Sequence, residues 1–371
     1  MAAPPRTKYM YCNIMFTVAS YLVEQMSGMA FPNYLEEKIF KPLGMASTNL
    51  QASRARLKGL GNRIADGHYW DDEAGEYRQH QAYDCKEGQG AGAIITSAED
   101  YLKWVKALMN QEGPITAEVY HGLVRMRIIP DPDPHAEGIA PGCSPVAYCA
   151  GLEVFWYRGH LVVSHDGSIP IFGSTHFFLP SIKFGGVILG NGSDGWNVAV
   201  ALLRDLIDEA LEVPVSERPK WPEHEDRSDE DENGDKKDEL DKVRKKLGVN
   251  EDQEPESLTT PLSWYEGTYS HPGYGEMVVS GKNGEPFIDA SDRTDGGTLH
   301  RFEHVCQQTK FISHISSPLC GGDEPVAAAF ELGASGAVRM GIHLEADVEE
   351  LIWFKKTAAE SQEDQASLPL S

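Results

Sequence analysis

The chain has 371 residues, 41% of them apolar and 9% aromatic, enough for one large domain and a smaller one. Its 57 acidic and 33 basic residues leave a net charge of -24. A sum that negative excludes the basic footprint of a nucleic-acid or anionic-membrane partner, and no apolar run approaches the roughly 18 residues of a membrane span. The six cysteines form no C-x-x-C pair, which reads as reduced thiols of a cytoplasmic protein. The thirteen histidines show no zinc spacing, so neither a metal nor a cofactor is expected. Residues 1–8 have no apolar signal-peptide stretch, which agrees with a cytoplasmic location.

Along the chain, Ile14, Met15, Val18, Leu22 and Met26 recur at helical spacing, and Gly28 is a natural stop. A short helix follows Pro32-Asn33 and ends at Pro42. Ser97-Ala98-Glu99-Asp100 reads as a helix cap, with Tyr101, Leu102, Trp104, Val105 and Leu108 as the buried face. Strands are expected at Leu152–Tyr157, Leu161–His165, Ser174–Leu179 and Gly186–Leu189, then a helix from about Trp196 to Leu211. Helices packed on an antiparallel sheet make an α/β (α+β) sandwich. Residues 215–257 are acidic and poor in large apolar side chains, so a flexible linker is expected, with a helical turn around Leu240 to Leu247. Eight short strand candidates follow, at Gly267–His271, Glu276–Ser280, Pro286–Ala290, His300–Val305, Lys310–Ile315, Ala327–Leu332, Val338–Leu344 and Leu351–Phe354. With Asn283-Gly284 as a hairpin turn, they suggest a small all-β barrel or sandwich. The expected domains are therefore 1–214, the linker 215–257, a β domain 258–356 and a disordered tail 357–371.

Several local patterns imitate functional motifs. Gly88-Gln89-Gly90-Ala91-Gly92-Ala93 fits the dinucleotide fingerprint formally, but Asp84-Cys85-Lys86-Glu87 before it is no strand. There is no P-loop and no G-x-S-x-G elbow. Ser47-Thr48-Asn49 mimics S-x-N and reads as capping; Lys282-Asn283-Gly284 mimics K-x-G and sits in a hairpin.

Tyr11-Cys12-Asn13 is followed by Ser27-Gly28, Tyr34, Ile39-Phe40-Lys41-Pro42-Leu43-Gly44-Met45 and Thr48. Further on come Gly90-Ala91-Gly92 with Ser97–Asp100 and Trp104, then Gly159-His160 through His165-Asp166-Gly167-Ser168 and Phe172-Gly173-Ser174. This ordered series resembles serine β-lactamases of class C type and their relatives among penicillin-binding proteins, esterases and D-amino-acid peptidases. The segment from Trp264-Tyr265-Glu266-Gly267-Thr268-Tyr269 onward resembles the small lipocalin-like barrel of some of these proteins, an unrelated β-sandwich being the alternative.

The resemblance implies a β-lactamase/transpeptidase-like domain that cleaves small amides, lactams or esters by acylating the serine of an S-x-x-K motif. Tyr11 would transfer the proton and Asn13 would orient the substrate amide. His165 would occupy the H-x-G position, Gly167 would admit substrate against the strand, and the Ser168 N–H would supply half of an oxyanion hole. For Tyr11 and His165 the alternatives are a core or cap residue and an ordinary sheet histidine. No serine or threonine stands three positions before any lysine, so the domain is expected to be N-terminally incomplete. The rival expectation is a non-catalytic binding protein or fragment that keeps the pocket. The one protein partner expected is a second copy of the chain, associating through the barrel.

Overall fold

The computed structural model describes residues 4, 6–71, 74–131, 139, 142–193, 195–219, 229–249, 256–293, 297–319, 321–346 and 348–357, the backbone alone at 229–236. The chain divides into two units, Met1–Glu223 and His224–Ser371.

In chain order the first unit contains α1 (Asn13–Ser27), α2 (Phe31–Leu35), β1 (Asn49–Leu50), α3 (Ala52–Leu57), β2 (Gly67–Asp71), β3 (Glu76–His80) and β4 (Ile94–Ile95). It continues through α4 (Ala98–Asn110), α5 (Ala117–Val124), β5 (Ala147–Tyr148), β6 (Glu153–Tyr157), β7 (His160–Ile169), β8 (Phe172–Leu179), β9 (Phe184–Gly190) and α6 (Gly195–Ala210). Strands β5 to β9 form one antiparallel sheet in sequential order. Side-chain alternation gives it two apolar faces. Val154, Val163 and Phe178 pack with Val105 and Leu108 of α4, while Tyr157, Val162, Phe177 and Leu179 pack with Leu203 and Ile207 of α6. Helices on both faces are the expected sandwich.

Close backbone approach places the helices. A Cβ on Gly173 of β8 would lie 2.0 Å from the Trp196 nitrogen, so only glycine lets the start of α6 settle on the sheet. The other end of α6 is anchored by buried Asp208, which accepts from the Tyr157 hydroxyl at 2.8 Å and from Arg158 Nε at 2.9 Å. The Ser97 hydroxyl accepts from the Asp100 N–H at 3.3 Å, which is the expected cap of α4. Thr48 also donates to Asp100, so the Ser47-Thr48-Asn49 imitation is a structural contact.

The glycine run at 88–92 serves packing. A Cβ on Gly90 would sit 2.2 Å from the Phe16 carbonyl oxygen, and Gln89 Nε2 donates to the Ser20 hydroxyl at 3.2 Å. This seats α1, which Gly28 closes in the left-handed conformation (φ 68°). The α1 face that contacts the domain carries Phe16, Ser20 and Val23. Ile14, Met15, Val18, Leu22 and Met26 share a helical period, yet all five are exposed. Periodicity defines a stripe and does not supply the surface that covers it.

In the second unit, part of the expected linker is helical, and the helix extends the turn expected around Leu240 to Leu247. Residues 229–246 form α7 (Asp229–Lys246). Leu240, Val243, Leu247 and Val249 pack on Val305, Cys306, Ile312 and Ala327, on the outside of the β domain. Four apolar residues at near-helical spacing bury a stripe despite the surrounding charge. Residues 220–228 and 250–255 of the expected linker, and the tail from 358, lie outside the described residues.

All eight expected strands form: β10 (Gly267–His271), β11 (Gly275–Lys282), β12 (Glu285–Ala290), β13 (Thr298–Cys306), β14 (Lys310–Ser317), β15 (Gly321–Gly333), β16 (Gly336–Ile342) and β17 (Ile352–Lys356). Each pairs with the next, and β17 returns to β10 to close an eight-stranded antiparallel barrel. Asn283 (φ 52°) and Gly284 (φ 87°) both take the positive φ of the expected hairpin turn. The interior is filled by Tyr265, Tyr269, Phe302, Phe311, Phe330 and Phe354, all fully buried. Each buried phenylalanine contributes about 1.5–3 kcal/mol over its exposed state.

Candidate active site

Tyr11 stands two residues before α1, and His165 lies in β7 opposite His176 of β8. The rings of Tyr11 and His165 lie 6.4 Å apart, so segments 154 residues distant in sequence meet at one place. Tyr148 joins them, with its ring 6.2 Å from Tyr11 and 6.3 Å from His165. Tyr9 packs on Tyr148 from another side at 5.3 Å.

His165 Nδ1 is 2.6 Å from the Asp166 carbonyl oxygen. A carbonyl can only accept, so Nδ1 carries the proton, and in the neutral ring Nε2 is the acceptor. Burial raises the Tyr11 phenol above its ordinary pKa, and the carboxyls of Asp166 and Glu153 raise it further. Burial also raises Glu153, with Asp166 adding to the effect and His165 opposing it. Trp196 Nε1 donates to Asp166 Oδ2 at 2.5 Å. Asp166 alternates onto the α6 side of the sheet, where a cavity of about 190 Å³ is lined by Glu153, Ser164, Asp166, Thr175 and Arg204.

His176, beside His165, is buried, and its Nδ1 lies 2.8 Å from the Tyr101 hydroxyl. Burial, with His165 adding to it, pulls His176 down to about 4, and burial pushes Tyr101 up to about 12. His176 is therefore neutral in the folded domain at pH 7, whereas the unfolded chain takes up a proton below about 6.5. Its contribution to stability is complete above pH 6.5 and is lost as pH falls towards 4. Thermal melts of the wild type should lose stability across that window, and His176→Gln should flatten the slope there. An equal slope in both would contradict this.

Asn13 is the first residue of α1 and is exposed, with no side-chain cap at the preceding Cys12. Gly167 and Ser168 are exposed and remain inside β7, opposite Ser174 and Gly173. A Cβ on Gly167 would meet only the Ser174 hydroxyl, at 3.0 Å. Packing therefore makes little demand for glycine at this point, and the strand face is open. The structure brings Tyr11 and His165 together; Gly167 and Ser168 follow His165 in β7, and Asn13 opens α1 two residues after Tyr11. Tyr148, Tyr9 and His176 were not singled out from the sequence. Tyr148 lies on a two-residue strand, too short for a period-2 pattern to mark.

Among the described residues no group of three or more His, Cys, Asp or Glu is placed to hold a metal, and no helix is long and apolar enough to cross a membrane. The five described cysteines, Cys12, Cys85, Cys143, Cys149 and Cys306, are free thiols.

The profile of the Beta-lactamase family matches residues 1–212, more than half of the chain. The chain belongs to the beta-lactamase family. Residues 251–356 match a domain of unknown function, DUF3471. An unguisins hydrolase of Aspergillus campestris is 30% identical over 360 residues, covering 96% of this chain and 65% of that protein. A D-aminopeptidase of Cereibacter sphaeroides is 24% identical over 219 residues, covering 58% of this chain and 38% of that protein. The chain thus spans less than two thirds of the length of these relatives. The solved structure of the octameric penicillin-binding protein homologue from Pyrococcus abyssi shares the fold, with a TM-score of 0.51 at 17% identity over 95% of this chain and 66% of that one.

Proposed function

We propose that Tyr11, Asn13, His165, Gly167 and Ser168 form the substrate side of an acyl-transfer site for small amides, lactams and esters. The observation that carries this reading is the contact of the Tyr11 and His165 rings beside an open strand segment at Gly167. The name of one relative, a D-aminopeptidase, favours amides. In this reading Tyr11 handles the nucleophile's proton and Asn13 holds the substrate amide. His165 donates or accepts beside the tyrosine, and the Ser168 N–H receives the developing oxyanion.

That no S-x-x-K motif occurs in these 371 residues supports a nucleophile supplied from elsewhere. With its pKa raised, Tyr11 is protonated at neutral pH and is a poor base. A cation beside it would favour the phenolate and bring the pKa down. The lysine of an S-x-x-K segment would be such a cation, and no such motif occurs in these 371 residues. We therefore place the serine and lysine in a segment outside this sequence, which makes the domain N-terminally incomplete. The barrel is proposed as lipocalin-like, and as the surface through which copies associate.

Gly167→Ala tests the pocket. The added methyl meets only a hydroxyl that can rotate away, so thermal stability should stay within about 1 kcal/mol of wild type. Binding of D-alanine amide to the 371-residue protein should weaken about tenfold or more, because the methyl stands where the ligand lies against the strand. Unchanged binding would show that the ligand lies elsewhere.

A further inference from the structure

The Tyr148 hydroxyl is buried and has no hydrogen-bond partner among the described residues. Two other tyrosines of the same unit, one buried and one partly buried, contrast with it. Tyr157 donates to Asp208 at 2.8 Å, and the Tyr101 hydroxyl pairs with His176 at 2.8 Å. A buried hydroxyl without a partner is a cost to the fold, and such groups persist where something other than folding retains them. The backbone of Tyr148 is firmly held. Its N–H donates to the Ile128 carbonyl at 2.8 Å, its own carbonyl accepts from the Arg127 N–H at 3.0 Å, and it pairs with Glu153 of β6. The ring so fixed meets Tyr11 and His165 edge-on, at interplanar angles of 86° and 70°. Neither the sequence motifs nor the roles proposed above include this residue.

We propose that Tyr148 is a positioning residue of the Tyr11–His165 site, its ring setting the phenol against the imidazole and its unpartnered hydroxyl donating to an acceptor oxygen of the bound amide. The proposal rests on the amide-site reading and adds a specific contact to it. Tyr11 lies before the first turn of α1 and is half exposed, so the chain before the helix does little to fix its ring. A rigid aromatic wall on a strand tied from both sides does fix it. Edge-to-face contacts of this kind prefer one geometry, which an aliphatic replacement cannot reproduce. The hydroxyl's neighbours are acidic or phenolic groups. Burial, then Tyr11, Tyr9 and Glu153, raise its pKa, so it is a neutral donor at pH 7.

The test uses the 371-residue protein with two substitutions, Tyr148→Phe and Tyr148→Leu. Without ligand, the nuclear Overhauser contact between the Tyr11 and His165 rings should persist in Tyr148→Phe, which keeps the wall. It should vanish in Tyr148→Leu. Persistence in the leucine variant overturns the positioning role. The thermal midpoint of Tyr148→Phe should equal or exceed that of wild type, while Tyr157→Phe should fall. A lowered midpoint in Tyr148→Phe would give the hydroxyl a structural purpose and overturn its assignment to a ligand. With D-alanine amide as probe, Tyr148→Phe should weaken binding about three- to tenfold, the scale of one neutral hydrogen bond. Equal affinity overturns the ligand contact. If wild type itself fails to bind the probe, the amide reading fails together with the hydroxyl's role, and the ring contact still decides whether Tyr148 positions Tyr11.

Discussion

Tyr11→Phe is expected to slow acylation by about 10²–10⁴ in a polypeptide that joins these 371 residues to an S-x-x-K segment, the usual cost of losing a positioned acid–base group. The substitution removes one oxygen and keeps the ring, so the contacts with Phe16, Tyr148 and His165 remain. Folding should therefore change little, and the loss should appear in the rate and not in the yield of soluble protein. His165→Ala should cost less, because His165 adjusts charge and hydrogen bonding beside the tyrosine without carrying the proton. Measuring kcat/KM for a chromogenic ester and a β-lactam on all three proteins decides it. Full activity in Tyr11→Phe would make Tyr11 a packing residue.

The 371-residue chain alone should form no stable adduct with a fluorophosphonate or a penicillin. Removing a serine nucleophile leaves at most a residual acceleration of about 10³–10⁴ over water, from binding and oxyanion groups, and no covalent intermediate. Ser168 is the one serine among the proposed site residues, and it is proposed to act through its backbone N–H. Among the described hydrogen bonds none links its hydroxyl to a base. Intact-mass spectrometry after incubation should show the unmodified mass. A stoichiometric increase on one serine would reveal a nucleophile within these residues and remove the need for an outside segment.

Much of the fold was legible because its signals are local. The strand at Leu161–His165 was marked by its apolar run, although β7 continues to Ile169 and so carries Gly167 and Ser168 within the sheet. The eight barrel strands were marked by short apolar runs between turn residues, and Asn283-Gly284 by its demand for positive φ. In the segment around α7 only the turn at Leu240 to Leu247 was legible, because the surrounding charge masks the spacing. Its charge suggested a solvated linker, yet Leu240, Val243 and Leu247 suffice to seat it on the barrel. Ordered motifs mark Tyr11 and His165 as candidates, and the structure brings their rings within 6.4 Å. Tyr148 and His176 were not marked, since their importance lies in contacts across 137 and 11 residues that no local pattern encodes. The exposed apolar stripe of α1 shows the same limit, because sequence spacing predicts amphipathicity without naming the partner.

Chemical-shift mapping of D-alanine amide on the 371-residue protein tests the central claim most directly, because it locates the ligand without requiring turnover. The account predicts that the resonances of Asn13, His165, Gly167 and Ser168 move together along one saturation curve, with the barrel unaffected. Shifts confined to the cavity beneath the sheet at Ser164 and Thr175, or to the barrel, would contradict it.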